Sequence, residues 1–193
     1  MARLYRIVGN SWQKPAFRYW LAIVLAAVAG VAFGKTFLNS VSVVQGSSMA
    51  PNYPPGTMLC TTPISAPLQR GDVVLLDDGK KDYAVKRIIG LPGETVHLWR
   101  GFVFINREML VEPYLPRRTY TYPGNGLGAA FILGEDQYFL LGDNRLNSTD
   151  SRAYGAIERK QIKRLIPLAA GTTRAHFAHY TIKLNGKDLI QPM

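Results

Sequence analysis

The chain has 193 residues, 47% of them hydrophobic, with 23 Lys and Arg against 13 Asp and Glu for a formal charge of +10. That length admits one domain plus an anchor, or at most two small domains, and the apolar share is ample for a core. A basic balance suits nucleic acid or an anionic membrane surface. However, the cations are scattered, densest at Lys80-Lys81, Arg117-Arg118 and 159–164, and no aromatics interleave them to stack on bases, which argues against nucleic-acid binding.

The first 18 residues are basic, with Arg3, Arg6, Lys14 and Arg18. Residues 19–34 then carry no charge before Lys35. A spanning helix needs about 20 apolar residues. The stretch is short, but Thr36-Phe37-Leu38 extends it, and Arg18 and Lys35 can reach toward a membrane surface. Tyr19 and Trp20 sit where an interfacial aromatic belt would. A retained transmembrane anchor over 19–38 is therefore expected. Its rivals are a cleavable signal peptide ending near Ala32-Phe33-Gly34 and a buried core helix. The excess of cations before the segment puts the N-terminus inside and the remainder outside.

Beyond residue 39 the pattern is β. Short strands are predicted at 41–44, 72–76, 83–89, 95–99, 102–105 and 138–141, punctuated by Pro54-Pro55-Gly56, Asp78-Gly79 and Leu91-Pro92-Gly93. Many short strands without intervening helical periodicity predict antiparallel sheets coiled into a barrel or sandwich. Residues 106–137, rich in Pro, Tyr and Gly, are expected to form an irregular excursion. Residues 156–166 are the best soluble-helix candidate, with Ile157, Ile162 and Leu165 at rough helical spacing. Residues 167–193 are left as a C-terminal extension of unassigned structure. Cys60 is the single cysteine, so no intramolecular disulfide forms; it reads as a small buried apolar residue.

Two features carry chemistry. The polar run 142–155 follows a buried strand and holds Asp143, Asn144, Arg145, Asn147, Ser148, Asp150, Ser151 and Arg152; away from water, such groups must hydrogen-bond each other. The second is the strand at 83–89. Period-two geometry puts Ala84, Lys86 and Ile88 on one face, so Lys86 is either a buried amine with a lowered pKa or a surface lysine on an exposed face. The three histidines, His97, His176 and His179, form no persuasive Ser-His-Asp set, and no cluster has metal-ligand spacing, so neither metal nor cofactor is expected.

Four boxes stand in order: Ser48-Met49-Ala50-Pro51, Gly71-Asp72-Val73-Val74, 85–93 with Val85-Lys86-Arg87 and Gly90-Leu91-Pro92-Gly93, and 142–155 with Gly142-Asp143-Asn144-Arg145 and Asp150-Ser151-Arg152. Together they resemble the type I signal peptidases, membrane-bound serine proteases that remove secretory leader peptides; the resemblance covers roughly 19–164. It implies Ser48 as nucleophile and Lys86 as general base. It implies Ser148 as the residue orienting the amine, with Asp150 and Arg152 a charged pair stiffening its loop and Asp143 a further supporting carboxylate. The Ser48 backbone N–H would donate to the oxyanion. A second donor, often a hydroxyl two residues earlier, is missing because Gly46 stands there. Leu146 and Asn52 also depart from the residues common in the family.

The resemblance further implies an extended substrate lying along Val44, Gly46, Met49, Asp82, Tyr83 and Ala84, with small pockets selecting Ala-x-Ala sites in preproteins. The expected organisation is a cytoplasmic segment 1–18, an anchor 19–38 in the plasma membrane, and a mainly β, barrel-like catalytic domain 39–166 on its outer face. The partners are preproteins and the lipid bilayer. A pilin-processing peptidase with the same dyad is an alternative. A self-cleaving repressor is another, although it would need a DNA-binding motif where the apolar segment stands.

Overall fold

The computed structural model describes residues 15–38, 40–77, 83–124, 128–168 and three strand dipeptides, 176–177, 183–184 and 187–188. It divides into two units, Met1–Val41 and Ser42–Met193.

The first unit is built on helix α1, Pro15–Leu38. Proline suits a first helical turn, where its missing N–H has no partner to lose. Tyr19, Trp20, Ile23, Leu25, Val28 and Val31 are each 59% exposed or more and lie at angles all round the helix. Among the described residues no helix is long and apolar enough to cross a membrane. The uncharged stretch is 16 residues, against the roughly 20 that a span requires.

The second unit is mainly β. Its strands are β1 Val41–Val43, β2 Met58–Cys60, β3 Val73–Asp77, β4 Tyr83–Gly90, β5 Thr95–Trp99, β6 Phe102–Ile105 and β7 Glu108–Val111. They continue as β8 Gly128–Ile132, β9 Gln137–Leu141, β10 Ile157–Glu158, β11 Ile162–Ile166, β12 His176–Phe177, β13 Lys183–Leu184 and β14 Lys187–Asp188. A one-turn helix, α2 Ser151–Tyr154, follows β9. Two five-stranded antiparallel sheets dominate, in the orders β10-β9-β4-β3-β11 and β12-β7-β6-β5-β8. β1 pairs with β2, and β13 with β14.

The first sheet is covered on both faces. Ile89, Phe139 and Leu141 meet Val96, Leu98, Val103 and Ile105 of the second sheet. The opposite face sends Val74, Leu76, Ile88 and Leu140 into a second cluster with Ile157 and Ile162. Burial on both faces explains why β3 and β9 read as unbroken apolar runs rather than alternating ones. A third cluster, Val44, Met49, Leu59, Val73 and Ile166, ties the segment after β1 to the sheet.

The first sheet is also strongly coiled. Its two edge strands, β10 and β11, are joined by only the 3-10 turn Arg159–Gln161. Laid flat, five strands would hold those edges about 19 Å apart, whereas such a turn advances only about 2 Å per residue. Among the described residues no hydrogen-bonded ring closes, so the expected barrel is a curled open sheet faced by a second one.

Three local expectations need correction. Residues 156–166 form β10, the turn and β11, not a helix; the apolar spacing of Ile157, Ile162 and Leu165 serves two short edge strands equally well, with Ile157 and Ile162 buried and Leu165 packed against the same cluster. The excursion at 106–137 contains β7 and β8, which flank the second sheet. Cys60 is exposed, because the alternation of β2 turns Leu59 inward and Cys60 outward.

Candidate active site

Ser48 lies on the loop between β1 and β2, just past the two-stranded sheet. That loop is held at several points. Val44 N–H donates to Thr57 C=O at 2.9 Å, and Tyr53 N–H to Met49 C=O at 2.9 Å. Met49 is 1% exposed and plugs the third cluster. The polar loop after β9 clamps the segment from the other side. Asn144 N–H donates to Ser48 C=O at 2.9 Å, its Nδ2 to Ser47 C=O at 3.1 Å, and Asn147 Nδ2 to Ser47 Oγ at 2.9 Å.

Lys86 sits inside β4, opposite Val74 of β3, and is 4% exposed. Its Nζ lies 2.9 Å from Ser48 Oγ. Burial holds the amine below its ordinary pKa; Asp150 pulls the value up and Arg152 pushes it back down. The amine therefore sheds its proton more readily than a solvated lysine, and does so within hydrogen-bond reach of a hydroxyl.

Asp150 caps α2 and accepts from Gly142 N–H at 3.0 Å, Arg152 Nε at 2.8 Å and Arg152 Nη2 at 2.9 Å. Burial alone would push this carboxyl up, but the Arg152 and Gly142 hydrogen bonds hold it below the usual carboxylate value. Arg152 also donates to Arg145 C=O at 2.7 Å and Ser148 C=O at 3.3 Å, so one guanidinium ties the loop across its width. Ser148 Oγ is buried beside the Asp150 carboxyl, which it helps hold low. It rests against the Cα of Gly142, where there is no room for a side chain.

A second layer of charge lies on the other face of β4. Arg87 Nε and Nη2 donate to the two oxygens of Asp143 at 2.8 and 2.6 Å, with both side chains almost wholly buried. The guanidinium carbon stands 4.0 Å over the Tyr114 ring, and Asn52 Nδ2 donates to Asp143 Oδ2 at 2.8 Å. Arg145 pairs with Glu112 and reaches Thr121 Oγ1, while its Nε donates to Gly142 C=O at 3.2 Å. Sequence reasoning missed Arg87, Glu112, Tyr114, Arg145 and Asn52. Only the even spacing of Arg87 and Ile89 on an apolar strand hinted that the first was buried.

A cleft of about 440 Å³ opens beside Ser48. Val43, Val44 and Gly46 line one wall and Tyr83, Ala84 and Val85 the other. Of the expected substrate contacts, Val44, Gly46, Tyr83 and Ala84 line it; Met49 is in the core instead, and Asp82 lies outside the described residues. Thus Ser48, Lys86, Ser148, Asp143, Asp150 and Arg152 converge from β4 and two loops, whereas His97 sits apart in β5. No group of three or more His, Cys, Asp or Glu among the described residues could hold a metal ion.

The described family "Signal peptidase, peptidase S26" matches residues 17–175. The chain is 33% identical to signal peptidase I of Bacillus amyloliquefaciens over 86% of its own length and 90% of that protein. It is 32% identical to signal peptidase I S of Bacillus subtilis strain 168 over 87% and 92%. A crystal structure of a signal peptidase I from Enterococcus faecalis V583 matches with a TM-score of 0.43 at 27% identity, covering 53% of this chain and 98% of that one. On the family match and the sequence relatives, the chain is a serine endopeptidase and belongs to the signal peptidase family, peptidase S26.

Proposed function

We propose that this enzyme removes N-terminal signal peptides from preproteins, with Ser48 as nucleophile and Lys86 as general base. The observation that carries the reading is the 2.9 Å contact between the Lys86 amine and the Ser48 hydroxyl inside an apolar sheet. The amine, its pKa lowered by burial, takes the hydroxyl proton in its neutral form as Oγ bonds to the scissile carbonyl carbon. The Ser48 N–H, unpartnered among the described residues, donates to the developing oxyanion. The ammonium then passes its proton to the leaving nitrogen as the C–N bond breaks, and the leader remains as an ester on Ser48. Water, deprotonated by the same amine, attacks that ester; the C–O bond breaks and Oγ recovers a proton.

Ser148 steers the amine, and Asp150 and Arg152 hold the loop that carries Ser148. Asp143 holds Arg87 and, through it, β4. The substrate lies extended in the cleft between 42–46 and 83–85, its small side chains facing the short Ala84 and Gly46. α1 anchors the enzyme in the plasma membrane with the N-terminus inside. Its 24 residues make a rod about 36 Å long, and tilt or local thinning of the bilayer accommodates a short apolar stretch.

Detergent-purified enzyme incubated with a preprotein carrying an Ala-x-Ala site should release the leader after the second Ala, read by mass spectrometry. Ser48→Ala and Lys86→Arg should both abolish release, because guanidinium does not give up its proton. Release that persists in either variant contradicts the dyad.

A further inference from the structure

Two clefts lie along the segment that carries Ser48, and the mechanism uses only one. The second, also about 440 Å³, is lined by Ala50, Pro51, Arg118, Tyr120, Tyr122 and Leu146, among others. The chain that forms one wall of the first cleft at 42–46 runs through Ser48 and at once forms a wall of the second at Ala50 and Pro51. Met49, buried between them, fixes that passage. Asn144, which lines the second cleft, donates its N–H to Ser48 C=O at 2.9 Å, so the cleft is bonded to the nucleophile's own backbone.

The lining is apolar where packing does not require it. Leu146 is 88% exposed, and Tyr120 and Tyr122 are 43% and 46% exposed with ring centroids 6.2 Å apart. Exposed apolar clusters of this kind on a rigid loop mark contact surfaces. The charge is equally pointed. Asp143 and Arg145 of the lining are occupied by Arg87 and Glu112, which leaves the exposed Arg118 as the charge of the lining with no ion-pair partner among the described residues. Arg118 holds φ at +64°, an unfavourable conformation for a residue with a side chain.

Resting on the reading of Ser48 as nucleophile, we propose that this cleft holds the residues on the carboxyl side of the scissile bond. It takes an apolar side chain against Tyr120, Tyr122 and Leu146 and an acidic one beside Arg118. Ala50 and Pro51 of its wall stand two and three residues past Ser48, and a strand advancing about 3.3 Å per residue alongside them brings the second to fourth residues after the cut to it.

The test uses internally quenched peptides with one leader half. After the cut they carry Leu with either Asp or Lys at the second to fourth positions, and one peptide ends a single residue past the cut. For the wild type, kcat/KM should favour the Asp peptide over the Lys peptide about threefold, the scale of an exposed ion pair, and the preference should fade at high salt. Arg118→Glu should invert the ratio, and Leu146→Lys should enlarge it. A ratio unmoved by both substitutions, while wild-type enzyme still cuts the short peptide, overturns this proposal alone. If wild-type enzyme cuts no peptide, the nucleophile reading falls and takes this one with it.

Discussion

Gly142 is the residue on which the two halves of the candidate site press hardest. A methyl built there would stand 2.3 Å from Ser148 Oγ, 2.6 Å from Ser148 Cβ and 2.5 Å from Ser48 C=O, where ordinary contact begins near 3.4 Å. Turning the Ser148 hydroxyl aside clears only the first clash. The Ser48 carbonyl is pinned by Asn144 N–H at 2.9 Å, so the strain passes into the Ser48 loop. In Gly142→Ala the neighbours must give by about 1 Å, a misplacement worth about 100-fold in rate when it falls on reacting groups. Overpacking of this kind destabilises by about 1–3 kcal/mol, which lowers Tm by several degrees in a domain of this size. Steady-state cleavage of a quenched peptide should therefore show kcat down about 100-fold with KM little changed, because the cleft walls at 42–46 and 83–85 are not touched. Gly46→Ala is the stability control, since a methyl there meets nothing within 4 Å. Gly142→Ala with full kcat and an unchanged Tm would refute the reasoning.

In the proposed mechanism the neutral amine is the competent form, and burial lowers the Lys86 pKa, so kcat/KM should be present above that lowered value and lost as pH falls through it; a pH profile rising only near 10.5 would contradict this. Arg152→Gln leaves Asp150 without its neutralising partner, which raises the Lys86 pKa and should move the acidic limb of the same profile to higher pH. Asp143→Ala strands the Arg87 charge in the interior and should cost about 3–5 kcal/mol in urea unfolding; the double variant Arg87→Met, Asp143→Leu should recover most of it.

What the sequence revealed, and what it hid, follows the range of the interactions. The strand around Lys86 was legible because alternation is a local property, and the assignment of Ala84, Lys86 and Ile88 to one face agrees with Ala84 and Ile88 sharing a core cluster. For Arg87, alternation gave the face but not the partner. With both faces of the sheet covered, Arg87 is as buried as Lys86, and its partner Asp143 is 56 residues away. In the loop 142–155, the Asp150–Arg152 pair was readable at a separation of two residues, but the bond from Arg145 to Glu112 spans 33 and leaves no local trace. β7 and β8 escaped because a four-residue strand and a run opening Gly128-Ala129-Ala130 carry little β propensity of their own. They exist because β6 and β5 offer edges to pair with.

The pairing of charges also bears on how the proposed base, a lysine, would work in so cationic a chain. Arg87, Arg145 and Arg152 are each locked to a carboxylate, Asp143, Glu112 and Asp150 respectively. A guanidinium keeps its charge even in the interior, so three unpaired arginines would be prohibitive there, and three unpaired carboxylates would hold a nearby lysine protonated. Paired, they act on Lys86 nearly as dipoles: Asp150 raises its pKa, Arg152 lowers it, and desolvation exceeds both. Lys86 makes its hydrogen bond to the Ser48 hydroxyl, which offers no negative charge. The permanent charges are thereby spent on holding loops and strands in register, and the buried amine able to titrate is left facing the Ser48 hydroxyl.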